Sequence, residues 1–85
     1  MTKDQISIKI HKEVAKYLNR EFSDQDDFQI DLDLASDDLS AIALSIERQF
    51  GVRIDRRRYR HVTNVDEYAE LVQETLEAGG PERAR

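Results

Sequence analysis

The chain has 85 residues, 39% of them apolar, and a formal net charge of −5 at pH 7, which together allow one small domain with a modest core. It contains no cysteine, which excludes a disulfide framework, a thiolate nucleophile and a cysteine zinc site. Its acidic balance argues against nucleic acid as the main partner, because phosphate binding needs a basic surface.

The first predicted element is an amphipathic helix over Lys3 to Arg20. Thr2 and Gln5 have the spacing of a capping box, in which two side chains satisfy backbone N–H groups at a helix start. Apolar residues then recur at intervals of three and four, as one helix face requires: Ile6, Ile10, Val14, Tyr17 and Leu18. The opening "MTKDQISIKI" is not typical of a secretory signal, and no apolar run approaches the ~20 residues of a membrane span. We therefore expect a cytoplasmic location.

The segment "SDQDDFQIDLDLA" is predicted to be an extended loop. Phe28, Ile30, Leu32 and Leu34 alternate as in a strand, but no second strand pattern exists and a lone strand cannot pair. We expect Phe28 and Leu32, with either Ile30 or Leu34, to be buried. The acids of this loop lack the glycine and glutamate of a calcium loop, which favours a solvated segment.

A second helix is predicted to begin at Ser36, which fits an N-cap, and to end at Gly51, a typical C′ residue. Asp37 and Asp38 lie in its first turn, where the helix dipole favours acids. The apolar stripe comprises Leu39, Ile42, Ala43, Ile46 and Phe50. Leu44 lies beside this stripe and would widen it.

The remainder of the chain predicts a short and a long helix. Val52 and Ile54 are expected to be buried, Asp55 to cap a helical turn over Arg56–Arg60, and Thr63 to cap the last helix. The buried face of that helix comprises Val65, Tyr68, Ala69, Leu71, Val72 and Leu76. Residues 1–78 are thus one all-α domain, a four-helix bundle with a long loop between helices 1 and 2 and a short third helix. Residues 79–85, with two glycines and a proline at 79–81, are expected to be a disordered tail.

This layout resembles the acyl carrier protein family over nearly the whole chain except the tail. Three segments carry the resemblance: "LDLASDDL" at the start of helix 2, "ERQFGVRI" at its end, and "VTNVDEY" at the start of the last helix. Phe28 and the stripe of Leu39, Ile42 and Ile46 add to it. In the family, a segment like "LGLDSLEL" opens the second helix and one like "EExFGVxI" closes it. The spacing between these segments fits without a gap.

The resemblance implies a carrier rather than an enzyme, and no catalytic residue is predicted. The family's serine receives a 4′-phosphopantetheine arm from coenzyme A through a phosphopantetheinyl transferase. Acyl groups are then bound to the thiol of the arm as thioesters. The resemblance implies that the corresponding serine in this chain is Ser36. The implied partners are the transferase and the acyl-loading and acyl-transferring enzymes of fatty-acid, polyketide or specialised lipid biosynthesis. We expect a monomer, with no nucleic-acid partner and no membrane span.

The sequence departs from the family at the serine itself. The usual Asp-Ser-Leu is here Ala35-Ser36-Asp37. A rival alignment places Asp38 on the serine, so that no arm is carried, but it needs a two-residue deletion inside the helix. The alternative function is therefore an interaction module of the carrier fold without a prosthetic group, and the alternative role for Ser36 is a plain helix cap.

The basic segment "RRRYRH", Arg56 to His61, is the other departure, because the family usually places acids here. Arg56, Arg57 and Arg58, with Asp37 and Asp38, are candidate partner-binding residues, since a reversed charge changes which surfaces are accepted. A solvated charged turn is the alternative. His11 and His61 have no second histidine or serine at a readable spacing, so no metal-binding residue is predicted.

Overall fold

Four helices form the part of the chain that the computed structural model describes, residues 1–78. In chain order they are α1 (Lys3–Ala15), α2 (Ser36–Phe50), α3 (Arg56–Tyr59) and α4 (Val65–Glu77). No strand occurs in this described part. The predicted all-α bundle, with a long loop after α1 and a short third helix, is confirmed. The predicted tail, 79–85, lies outside the described residues.

Helix α1 begins as predicted but ends earlier. The Thr2 hydroxyl accepts from the N–H of Gln5, and the Gln5 side chain accepts from the N–H of Thr2, which confirms the capping box. The helix ends at Ala15 rather than Arg20. There the backbone switches to tighter three-residue hydrogen bonds, including 3.0 Å from Tyr17 N to Val14 O. Tyr17 is 39% exposed, so its side chain contributes little apolar burial that would stabilise a longer helix.

The loop between α1 and α2 is a series of turns rather than an extended segment. The Asp27 Oδ1 atom accepts from the N–H groups of Gln29 and Ile30, each at 2.8 Å, and so bends the chain. Phe28, Leu32 and Leu34 are buried, as predicted for the first two, while Ile30 is 84% exposed. The Phe28 N–H donates to the Thr63 carbonyl at 2.8 Å, which ties the loop to the segment before α4.

The core is formed by one face of each long helix and the buried residues of the connecting loops. Helix α1 packs against both α4 and α2, and α3 packs against α4. The largest fully buried side chains are Ile6, Ile10, Val14, Ile42, Ile46, Val65, Tyr68 and Val72. Leu44 is 50% exposed, so the expectation that it widens the apolar stripe of α2 is wrong.

Single residues with particular backbone conformations or capping side chains mark the end of α2 and the starts of α3 and α4. Gly51 adopts a left-handed φ of 66°, as predicted for the residue that ends α2. The Asp55 side chain caps α3 by accepting from the N–H of Arg57. Asn64, not Thr63, caps α4. Thr63 instead donates both its N–H and its hydroxyl to the carboxylate of Glu67, so it braces the cap from one residue earlier.

No helix within residues 1–78 has the length and apolar character required to cross a membrane.

Candidate functional site

Ser36 is the first residue of α2, and the prediction that it is the N-cap is wrong. The cap position belongs to Ala35, whose backbone is extended with φ −79° and ψ 161°, and no side-chain hydrogen bond caps the helix. The Ala35 carbonyl accepts from the N–H of Leu39 at 3.0 Å, which is the first helical bond. Ser36 is exposed. Its hydroxyl is therefore not committed to capping and is open to reaction.

Two carboxylates accompany Ser36 in the first turn of α2. Asp37 is exposed and Asp38 is half-buried. Both lie near the positive end of the helix dipole, which favours acids there. The backbone N–H groups of Ser36, Asp37 and Asp38 precede the first helical bond, so the helix offers them no carbonyl partner. The start of α2 thus combines a free hydroxyl, unpaired N–H donors and two negative charges.

A groove of about 1050 Å³ runs along α2 and the connector to α3. We define it by the α2 residues Ser40, Ala43, Leu44 and Glu47 on one wall, and by Ile54, Asp55, Arg56, Tyr59 and Arg60 on the other, with Arg53 and Tyr68 completing the lining. Ser36 precedes Ser40 by one helical turn, roughly 6 Å along the axis, on the same helix face. Ser36 therefore heads the row of residues that forms one wall of the groove.

Two tyrosines lie at the buried side of this groove. Their rings meet edge to face, with centroids 5.4 Å apart. The Tyr59 hydroxyl donates to the Leu39 carbonyl at 3.2 Å. Burial, together with the Glu47 carboxylate, raises the pKa of Tyr59. Burial, together with Tyr59 and Glu47, raises the pKa of Tyr68 far more. Both hydroxyls are therefore protonated at neutral pH.

Glu47 holds the two walls of the groove together. Its Oε2 atom accepts from the N–H of Ile54 at 2.8 Å, across the turn at Gly51. Its backbone carbonyl also accepts from the N–H of Val52 at 3.1 Å. A single α2 residue thus fixes the connector on which Val52 and Ile54 are buried, as predicted for both. This bracing places a negative charge within the groove lining.

The basic segment does not form a single face. Arg56 lines the groove together with Arg53 and Arg60. The Nε atom of Arg57 lies 3.8 Å from the Asp55 carboxylate, and Arg58 forms an ion pair with Glu74 of α4. The candidate partner-binding residues therefore divide between the rim of the groove and the surface of α4. The sequence pattern alone did not show which arginines face the groove and which face α4.

His11 has structural partners that the sequence analysis missed. Its ring stacks on Phe22 with centroids 4.0 Å apart, and its Nδ1 atom lies 2.7 Å from the Asp24 carboxylate. Phe22 and Asp24 follow His11 by 11 and 13 positions, beyond the end of α1, and no sequence pattern predicted these contacts. Within residues 1–78, no three histidine or acidic side chains converge to hold a metal ion. His11 thus helps to hold the loop against α1.

A search of models of protein families and a search of curated proteins found no match to this chain. The resemblance to acyl carrier proteins therefore rests on the sequence segments quoted above.

Proposed function

We propose that this protein is an acyl carrier that receives a 4′-phosphopantetheine arm on Ser36. The observation that carries the proposal is the placement of an exposed, non-capping serine hydroxyl at the head of a groove wall. An arm attached there starts about one helical turn from the groove lining. The proposed partners are a phosphopantetheinyl transferase and the enzymes that load and remove the acyl group.

The start of α2 suits the phosphodiester that attachment would produce. In that step the Ser36 oxygen forms a bond to the pantetheine-side phosphorus of coenzyme A, the phosphoanhydride breaks to release adenosine 3′,5′-bisphosphate, and the serine proton leaves to a base. The product is an anion beside unpaired N–H groups and the positive end of the helix dipole. When bound, the arm supplies a terminal thiol that holds acyl groups as thioesters. The chain itself contains no cysteine.

The groove offers a place for the acyl group on the same arm. Ala43, Leu44 and Ile54 give its lining an apolar part. Each methylene that leaves water there contributes about 0.8 kcal/mol, so the gain grows with the number of methylenes that the apolar part of the groove covers. The proposed role for the protein is to hold its cargo until a partner enzyme takes it.

The alternative function, an interaction module without a prosthetic group, is favoured by one observation. Exposed Asp37 follows the serine where the family has a leucine. Coexpression with a broad-specificity phosphopantetheinyl transferase, followed by intact mass measurement, separates the two functions. The proposed carrier gains the mass of one arm. A chain that gains no mass with several transferases would be the interaction module instead.

The substitution Asp37→Leu is expected to speed attachment of the arm by about threefold or more. It removes a negative charge roughly 6 Å from the new phosphate and restores an apolar contact for the transferase. Initial rates are measured by intact mass over time. Asp37→Asn is the matched control, because it removes the charge without adding the apolar group and should give an intermediate rate. Equal rates for all three proteins would show that Asp37 does not limit recognition.

Reversing the charge at Arg56, Arg57 and Arg58 to glutamate is expected to slow transfer to the cognate partner while leaving the fold intact. All three side chains are exposed, and the ion pair of Arg58 is worth about 0–1 kcal/mol. The melting temperature should change little, and rising salt should reduce the difference in transfer rate from wild type.

The charge-matched control for this variant changes Lys9, Lys12 and Arg48 to glutamate. These residues are also exposed and lie outside the groove lining. The control should transfer at the wild-type rate if the basic segment has a specific role. Equal slowing in both variants would assign the effect to net charge alone, and a large loss of stability would assign the arginines to the fold.

A further inference from the structure

The hydroxyl of Tyr68 is buried without a hydrogen-bond partner. Tyr68 is 1% exposed, and its hydroxyl is the one buried side-chain nitrogen or oxygen within residues 1–78 that lacks a partner. Buried hydroxyl groups are almost always hydrogen-bonded, because an unpaired one loses its bonds to water and gains nothing. Its neighbour Tyr59 follows the rule by donating to Leu39. The unpaired hydroxyl therefore calls for an explanation specific to its position.

That position is the buried side of the groove. Tyr68 belongs to the groove lining, and so do Tyr59 and Glu47, the two groups whose electrostatic effects reach its hydroxyl. Burial is the largest cause of the raised pKa of Tyr68, so the group remains a neutral O–H donor. The hydroxyl itself is out of contact with solvent, so an acceptor oxygen on a molecule in the groove would satisfy it once the lining side chains part to admit that oxygen.

The charge of the surroundings restricts which acceptor fits. The Glu47 carboxylate lines the same groove and adds to the raised pKa of Tyr68, and it is fixed by its hydrogen bond to the N–H of Ile54. A carboxylate ligand brought beside it would meet repulsion in a poorly solvated place. The arginines of the lining are exposed, so solvent weakens the attraction that they would offer to such a carboxylate. A neutral carbonyl or hydroxyl oxygen avoids this repulsion and accepts the hydrogen bond.

We infer that the groove selects acyl chains that carry a neutral oxygen, a keto or a hydroxyl group, through a hydrogen bond from Tyr68. This inference rests on the proposed function, because the acyl chain is brought to the groove by the arm on Ser36. It goes further by naming the class of cargo. An unsubstituted alkyl chain would fill the apolar part of the groove and leave the hydroxyl of Tyr68 unpaired.

The test compares cargoes that differ only in one oxygen. A transferase loads Ser36 from coenzyme A analogues bearing amide-linked octanoyl, 3-oxo-octanoyl, 5-oxo-octanoyl or 7-oxo-octanoyl groups, and the melting temperature of each product is measured. At least one oxo product should melt about 4 °C or more above the octanoyl product. In Tyr68→Phe this difference should vanish. The inference is overturned if no oxo product melts higher, or if the difference persists without the hydroxyl.

Tyr59→Phe is the matched control, since it removes a hydroxyl that already has a partner. It should lower the melting temperature of the unloaded protein and retain the preference for an oxo cargo. Unloaded Tyr68→Phe should instead melt about 4 °C or more above wild type, because the variant no longer buries an unpaired hydroxyl. A lower melting temperature would mean that Tyr68 has an internal partner such as Glu47, which contradicts the inference.

Failure of the proposed function is recognised separately, by intact mass. If Ser36 takes no arm, the same groups are supplied as free pantetheine amides and titrated into the protein by NMR. At least one of the three oxo amides should bind about fivefold more tightly than the octanoyl amide, and this difference should vanish in Tyr68→Phe. Equal affinities in this titration would overturn the inference about the groove, whatever the result at Ser36.

Discussion

Changing Ser36 to alanine is expected to abolish attachment of the phosphopantetheine arm completely. No other hydroxyl occupies the first position of α2, where the serine is exposed and free of any capping bond. Intact mass after coexpression with the transferase should show one arm on the wild-type chain and none on the variant. Ser40→Ala is the matched control. Ser40 is also exposed but lies one turn further along, in the groove lining, and its loss should leave attachment intact.

Melting temperature gives the Ser36 variant a second, independent outcome. A serine that capped the helix would cost about 1 kcal/mol when replaced by alanine. Since Ala35 is the cap residue and no side chain caps α2, we expect a cost below about 0.5 kcal/mol. An unstable Ser36→Ala would restore the capping role. An arm found on Ser40 would move the attachment site into the groove.

The elements that could be predicted are those set by short-range patterns. The capping box of Thr2 and Gln5, the left-handed Gly51 and the cap at Asp55 each depend on residues within a few positions, and the structure confirms all three. The buried faces of α1 and α4 follow from helical periodicity in the same way. These features need no knowledge of the rest of the fold.

The errors at the starts of α2 and α4 arise where two neighbouring residues compete for the cap position. Ser36 and Thr63 are good cap residues, yet Ala35 and Asn64 occupy the cap positions. At α2 the extended backbone falls at Ala35 and the helical backbone begins at Ser36, so the serine lies one residue too late to be the cap. At α4 the Glu67 carboxylate binds Thr63, which leaves the cap to the next residue. A shift of one residue thus removes the capping role from Ser36.

The groove could not be predicted because its lining is assembled from separate parts of the chain. Tyr68 lies 21 positions after Glu47, and its place on an apolar helix face predicts only a core residue. The unpaired state of its hydroxyl depends on which groups surround it, and this is set by the packing of α3 on α4 and by the hydrogen bond from Tyr59 to Leu39 of α2. The same holds for Arg56 and Arg58, which are neighbours in sequence but lie on different surfaces.

Changing Phe28 to alanine is expected to destabilise the protein by about 3–5 kcal/mol, the usual cost of removing a buried phenylalanine. Phe28 is 4% exposed and packs in the core, and its N–H donates to the Thr63 carbonyl. A chain of this length has roughly 4–13 kcal/mol in total, so the loss is a large part of its stability. The melting temperature, followed by circular dichroism, should fall by at least about 12 °C.

Ile30→Ala is the matched control for Phe28→Ala, because it lies two residues away in the same loop and is 84% exposed. A strand with both side chains on one face would bury the two residues equally, and both variants would then be destabilised. The turn built by Asp27 separates them, since it directs Ile30 to solvent while Phe28 enters the core. The control should therefore change the free energy of unfolding by less than about 0.5 kcal/mol. A large loss for Ile30→Ala, or a small one for Phe28→Ala, would show that the loop is not held to the core as described.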